Sequence, residues 1–178
     1  MRLFLAVNLQ DSLKGYISGV INKIKKEEQG IRFVSSSQMH LTLKFLGDVS
    51  PQSKDVIVEK LNEVSFDHFS LKLSAAGAFP DANDARVLWI GVEPKEQIVQ
   101  LQKGIDNSLK QFFPLEKDYV PHITIGRVSF LKNKETISHF LNQKIEPLLF
   151  NVEEFFLVQS NLSSKGPEYR DLERFGPG

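Results

Sequence analysis

Two four-residue words in this chain have the same grammar, histidine–apolar–threonine–apolar: His40-Leu41-Thr42-Leu43 and His122-Ile123-Thr124-Ile125. Only four histidines are present, so half of them stand in this arrangement. Each word alternates polar and apolar residues, the period of a half-buried β-strand. His40 and Thr42 therefore share one face of their strand, and His122 and Thr124 share one face of theirs. Were the strands neighbours, two imidazoles and two hydroxyls would converge on one spot. Imidazole, with an ordinary pKa of about 6.5, can both give and take a proton near neutrality. A pair of them flanked by hydroxyl donors is equipped for general acid–base chemistry on an oxygen-rich group.

Composition removes several other chemistries. The chain has 178 residues, enough for one ordinary domain or two small lobes, and is 41% hydrophobic, enough to build a core. Lys+Arg and Asp+Glu number 22 each, so bulk electrostatics do not make this a nucleic-acid coat protein. A local pocket for one phosphate is still allowed. The absence of cysteine rules out disulfides, thiolate nucleophiles and Cys-ligated zinc. The apolar run Leu3 to Val7 is too short for a secretory leader, and no stretch approaches the roughly 20 apolar residues of a membrane span. A cytoplasmic protein is expected, monomeric by default, with no cofactor and no metal. Asn161-Leu162-Ser163 matches the glycosylation sequon by chance on this reading.

The elements that would carry the two words can be read from periodicity. Residues 2–8 read as a strand and 11–28 as a helix, with Leu13, Ile17, Val20, Ile21 and Ile24 at helical spacing. The first histidine strand spans about 39–46. A helix follows over 51–64, opened by Ser50 and Pro51, and then a strand through Phe69, Leu71 and Leu73. After the breaker stretch 77–83 the order restarts: strand 87–92, helix 95–112, the second histidine strand 121–128, a helix near 134–142 and a strand near 152–159. The expectation is an α+β fold of two pseudo-duplicated lobes, half-repeats roughly 1–76 and 85–160. Antiparallel sheets would line a central cleft, with helices packed outside.

The chain resembles the two-histidine phosphoesterase superfamily, and within it the bacterial RNA 2′,3′-cyclic phosphodiesterases, also called 2′–5′ RNA ligases. The resemblance rests on Arg2 to Val7, His40 to Gly47, Ala85 to Trp89, Pro121 to Arg127 and Ser160 to Tyr169, in family order. It implies hydrolysis of RNA 2′,3′-cyclic phosphate ends, tRNA fragments among them, to 2′-phosphomonoesters. His40 would protonate the leaving oxygen and His122 would take the proton from water, the roles exchanging in reverse for 2′–5′ ligation. Residue chemistry alone leaves the direction open. Family members close with an apolar strand after Tyr169, whereas this chain runs Arg174-Phe175-Gly176-Pro177-Gly178, so a short or frayed last strand is expected.

Thr42 and Thr124 are the expected donors to the non-bridging phosphate oxygens, although both also suit a strand for β-propensity alone. Lys44 shares the parity of His40 and is a candidate phosphate contact. Arg127 has the opposite parity to His122, so a regular strand would aim it away and only a bulge would bring it in. Tyr169 is a candidate cleft residue. Arg32 and Arg86 are weaker candidates for an RNA phosphate, and Trp89 reads as core. His68 and His139 read as surface, the run Lys23 to Glu28 as a solvated helix end, and Phe150 to Val158 as core strand. Three other readings compete: a zinc hydrolase, which lacks an evident third ligand; a non-catalytic RNA-binding module; and a phosphodiesterase for a 2′–5′ oligonucleotide or a small cyclic nucleotide.

Overall fold

The computed structural model describes residues 1–26, 30–131, 135–164 and 166–177. In chain order its elements are β1 (Arg2–Asn8), α1 (Asp11–Lys25), β2 (Ile31–Phe33), a 3-10 turn at Ser36–Gln38, β3 (His40–Asp48), α2 (Pro51–Leu61), β4 (Phe69–Phe79) and β5 (Val87–Glu93). They continue with α3 (Glu96–Leu109), β6 (His122–Val128), α4 (Glu135–Leu141), β7 (Leu149–Val152), β8 (Phe155–Ser163) and β9 (Gly166–Phe175). The strands form one curled antiparallel sheet in the order β7-β4-β5-β6-β3-β1-β8-β9, with β2 added to β6. The α+β architecture is as expected from the sequence.

The helices follow from their apolar spacing. Leu13, Ile17, Val20, Ile21 and Ile24 are the buried stripe of α1. Ser50 caps α2, its hydroxyl accepting the Ser53 N–H at 3.1 Å, with Pro51 in the first turn. These stripes join the inward strand residues, among them Leu41, Leu43, Ile123 and Ile125, in one core cluster. On the other face of the sheet Phe4, Ala6 and Val158 form a separate small cluster, with Tyr169 against it. The expected continuation of the first helix to 28, and the charges of Glu27 and Glu28, lie outside the described residues, as does residue 134 of the fourth.

The order strand, helix, strand, helix, strand recurs along the chain, but strands of the two sequence halves are exchanged in space. β4 ends the first sequence half yet hydrogen-bonds to β5 of the second, and β8 of the second half pairs with β1. Hydrophobic alternation reports that a strand has a buried face, not which strand it joins. The halves meet where β3 and β6 pair at Leu41↔Ile123. Four expectations change in detail. The stretch 77–79, read as a breaker, completes β4. The single strand expected near 152–159 is two, β7 and β8, toward opposite ends of the sheet. β2 has no counterpart in the periodicity reading. The last strand, expected short, runs ten residues and pairs with β8 from Gly166 to Phe175. It is an edge strand with little buried surface, so it carries little alternation.

Both histidine strands contain an extra residue at the same station. In β3 the partners run Ala6↔Thr42 and then Leu5↔Lys44, leaving Leu43 unmatched. In β6 they run Trp89↔Thr124 and then Leu88↔Gly126, leaving Ile125 unmatched. A bulge reverses side-chain parity beyond it. Hence Lys44 and Gly126 turn inward, and Phe45 and Arg127 emerge on the histidine face.

Candidate active site

The antiparallel register at Leu41↔Ile123, extended one residue each way, sets His40 opposite Thr124 and Thr42 opposite His122. Directly opposed side chains start about 4.5–5.5 Å apart, and diagonal ones about 7–8 Å. The two histidines occupy such a diagonal, the two threonines the other. A tetrahedral group can sit at their crossing with an imidazole on either side.

Each imidazole is held in the same way. His40 Nδ1 lies 2.7 Å from the Gln38 carbonyl and His122 Nδ1 lies 2.7 Å from the Val120 carbonyl. A carbonyl only accepts, so Nδ1 donates in both rings and Nε2 is left for proton exchange. His40 is flanked by Phe4 at 4.9 Å and by Tyr169, edge-on, at 5.3 Å between ring centroids. His122 is flanked by Phe79, edge-on at 4.9 Å, and by Trp89 at 6.0 Å. Trp89, expected in the core, is half-buried on the histidine face, opposite Thr124. Its ring lies over Gly77, where any Cβ would collide with it.

Burial pushes His40 down to about 4, against the pull of the Gln38 carbonyl, and the positive fields of His122 and Lys14 add to the fall. His122 is also lowered, by burial first; the Val120 carbonyl opposes this and the Arg127 guanidinium reinforces it. Without a neighbouring anion, both rings are neutral at pH 7.

A cleft of about 550 Å³ opens over this platform, its lining including His40, Thr42, Thr124, Phe45, Arg127 and Tyr169. His122 stands beside it, two residues before Thr124 on the same face. Arg127 reaches the cleft because of the β6 bulge. Arg86 lies outside it, in an ion pair with Asp84 at 2.8 Å. His68 and His139 are exposed.

Lys44, like Trp89, is a residue the sequence misplaced. The β3 bulge turns it to the core side, where its ammonium meets Asp106 Oδ1 at 2.5 Å and the Pro114 carbonyl at 2.7 Å. It does not touch the cleft. Asp106 also accepts the Glu116 N–H at 2.7 Å, which ties α3 to the loop leading into β6. Tyr119 on that loop donates from its hydroxyl to the Thr42 carbonyl at 2.9 Å. Burial raises the Tyr119 phenol, keeping it a donor. One hydrogen bond thus joins the approach to the second motif to the backbone of the first. Nothing in sequence spacing announces such a contact across 77 residues. Among the described residues no three His, Asp or Glu side chains gather as metal ligands. Among them, too, no helix is long and apolar enough to cross a membrane.

Fold and site together define a protein of two strand-exchanged half-sheets joined at paired His-x-Thr strands. The chain belongs to the 2′-5′ RNA ligase superfamily, whose sequence profile matches residues 11–163. The RNA 2′,3′-cyclic phosphodiesterase of Methanothermobacter thermautotrophicus is 34% identical over 182 residues, covering 98% of each chain. That of Thermotoga maritima is 35% identical over 176 residues, covering 97% of this chain and 93% of its own. Among solved structures, a protein of Thermus thermophilus superposes with a TM-score of 0.85 at 26% identity, covering 99% of this chain and 97% of its own. E. coli LigT complexed with 3′-AMP gives 0.78 at 26% identity, with the same coverage.

Proposed function

We propose that this protein hydrolyses the 2′,3′-cyclic phosphate ends of RNA, tRNA fragments among them, to 2′-phosphomonoesters by paired histidine catalysis without a metal ion. The observation that carries the reading is the crossed register, each histidine facing the other motif's threonine about Leu41↔Ile123. The cyclic phosphorus sits at the crossing. Thr42 and Thr124 hydroxyls donate to its non-bridging oxygens and stabilise the charge that redistributes in the transition state. His122 Nε2 takes a proton from water as the oxygen attacks phosphorus. The P–O3′ bond breaks on the opposite side, and protonated His40 gives its proton to O3′. A 2′-phosphate and a free 3′-hydroxyl result, and proton exchange with solvent resets both rings. Arg127, whose charge disfavours His122 protonation, keeps the base in its working form and adds a positive charge for the phosphate. Tyr169 orients the His40 ring. If a 5′-hydroxyl of a second RNA replaces water, the same steps join the two by a 2′–5′ bond with the histidine roles unchanged. The roles exchange only when that bond is cleaved in reverse, which corrects the assignment expected for ligation.

The test is incubation with adenosine 2′,3′-cyclic phosphate and with its 3′,5′ isomer, in EDTA. The expected result is 2′-AMP from the first substrate only. His40→Ala and His122→Ala each lose on the order of 10²–10⁴ in turnover while keeping wild-type circular dichroism. A 3′-AMP product, loss of activity in EDTA, or full turnover by either variant would overturn the reading.

A further inference from the structure

The cleft beyond the histidine pair contains more positive charge than a single phosphate requires. Arg2, Arg32 and Arg127 all line it, and no carboxylate of the described residues does. Among the described residues none of the three guanidiniums forms an ion pair. The protein as a whole has a formal net charge of zero, so this concentration is local. Moreover, Arg32 of β2 and Arg127 of β6 are direct cross-strand partners. Like charges directly opposite each other destabilise a strand pair, and an anion held between two guanidiniums that face one cleft relieves that repulsion. Arg2, at the start of β1, belongs to the same field: it and Arg127 are the charges that act on Tyr169.

The position of the pair says which anion. Arg127 lies three residues beyond Thr124 on β6, roughly 7–10 Å along the strand from the histidine platform. A group held there is one nucleoside removed from the reacting phosphorus. The same cleft is lined by the exposed Phe45 and Leu162, apolar surface against which a nucleoside can lie. A mononucleotide would leave Arg32 and Arg2 without a phosphate.

Building on the function proposed above, we propose that Arg2 and Arg32, with Arg127, hold the internucleotide phosphate immediately 5′ of the cyclic end, so that the cleft is built for oligonucleotides. The experiment compares kcat/KM for a diadenosine substrate with a 2′,3′-cyclic end against adenosine 2′,3′-cyclic phosphate, in wild type, Arg2→Gln, Arg32→Gln and Arg32→Lys. Wild type favours the dinucleotide. The ratio of the two values falls at least tenfold in Arg32→Gln and in Arg2→Gln, and Arg32→Lys recovers part of it. A merely structural role would lower both substrates together and leave the ratio alone. For the dinucleotide, the slope of log(kcat/KM) against log[salt] becomes shallower by about 0.7 in Arg32→Gln, the value for one single-strand phosphate contact. A ratio unchanged within twofold in both glutamine variants, or no wild-type preference, overturns the inference. If neither substrate turns over, the proposed reaction fails instead. Calorimetric binding of the 2′-phosphorylated dinucleotide against 2′-AMP then reads the same ratio independently of catalysis.

Discussion

The protonation of His40 offers a quantitative test of the proposed chemistry. Burial and nearby positive charge hold its pKa at about 4, which is 7 − 4 = 3 units below neutral pH. Protonating it at pH 7 therefore costs about 4 kcal/mol, at roughly 1.36 kcal/mol per unit. An acid that donates to O3′ must nevertheless carry that proton. The substrate can supply the difference: one negative charge on the cyclic phosphate, about 4 Å from the ring at an effective dielectric near 20, is worth about 4 kcal/mol. Bound substrate should thus lift His40 from about 4 to near 7. The two pH profiles must then separate. The basic limb of kcat/KM reports the free enzyme and should fall on the acid side of His's usual value, whereas that of kcat reports the complex and should lie higher by about 2–3 units. The assay is steady-state hydrolysis of adenosine 2′,3′-cyclic phosphate from pH 4 to 9. Side-chain NMR of the His40 ring, with and without 2′-AMP, gives the same pKa values directly. Coincident basic limbs, or a free His40 titrating at its ordinary value, would refute the electrostatic argument.

Two further outcomes follow from the supports of the site. Lys44→Ala strands the buried Asp106 carboxylate, costing about 3–5 kcal/mol in urea unfolding; pairing it with Asp106→Leu should restore much of this. Burial by itself would raise Asp106, but the Lys44 ammonium and the Glu116 N–H hold it below its usual value. The pair's contribution is accordingly present above the ordinary Asp pKa and lost as pH falls through the folded-state value, so the wild-type–mutant stability gap should close in acid. Gly77→Ala should displace Trp89 from its place over β4 and loosen the wall behind His122, seen as a red-shifted Trp emission and a reduced kcat. An unchanged spectrum and rate would show that the indole is not what seats the ring.

Much of the fold was legible because its signals are local. The 3.6-residue stripe Leu13 to Ile24 makes α1, and the twice-written His-x-Thr-x word places each histidine and threonine on one strand face. The exposed edge strand β9 has only Phe175 fully buried, so its alternation is faint and its length is easily underestimated. The parity argument for Lys44 fails at the bulge, because a single unmatched residue at Leu43 reverses the facing of Lys44 and Phe45 that follow it. The same event at Ile125 brings Arg127 into the cleft, an outcome that strand parity alone forbids. Tyr119 could not be found from sequence at all, since its partner is a backbone carbonyl on another strand.

The amino-acid sequence by itself determined which groups are available for chemistry, their pairing with a threonine two residues on, and the helices and strands that hold them. Those depend on side-chain type and on short-range periodicity, both of which are written along the chain. Tertiary structure alone decided that β3 and β6 are neighbours, that their register crosses the motifs, that burial neutralises His40, and that three arginines share one cleft. Each of these is set by contacts between residues distant in the chain, made possible by the exchange of β4 and β8 between halves.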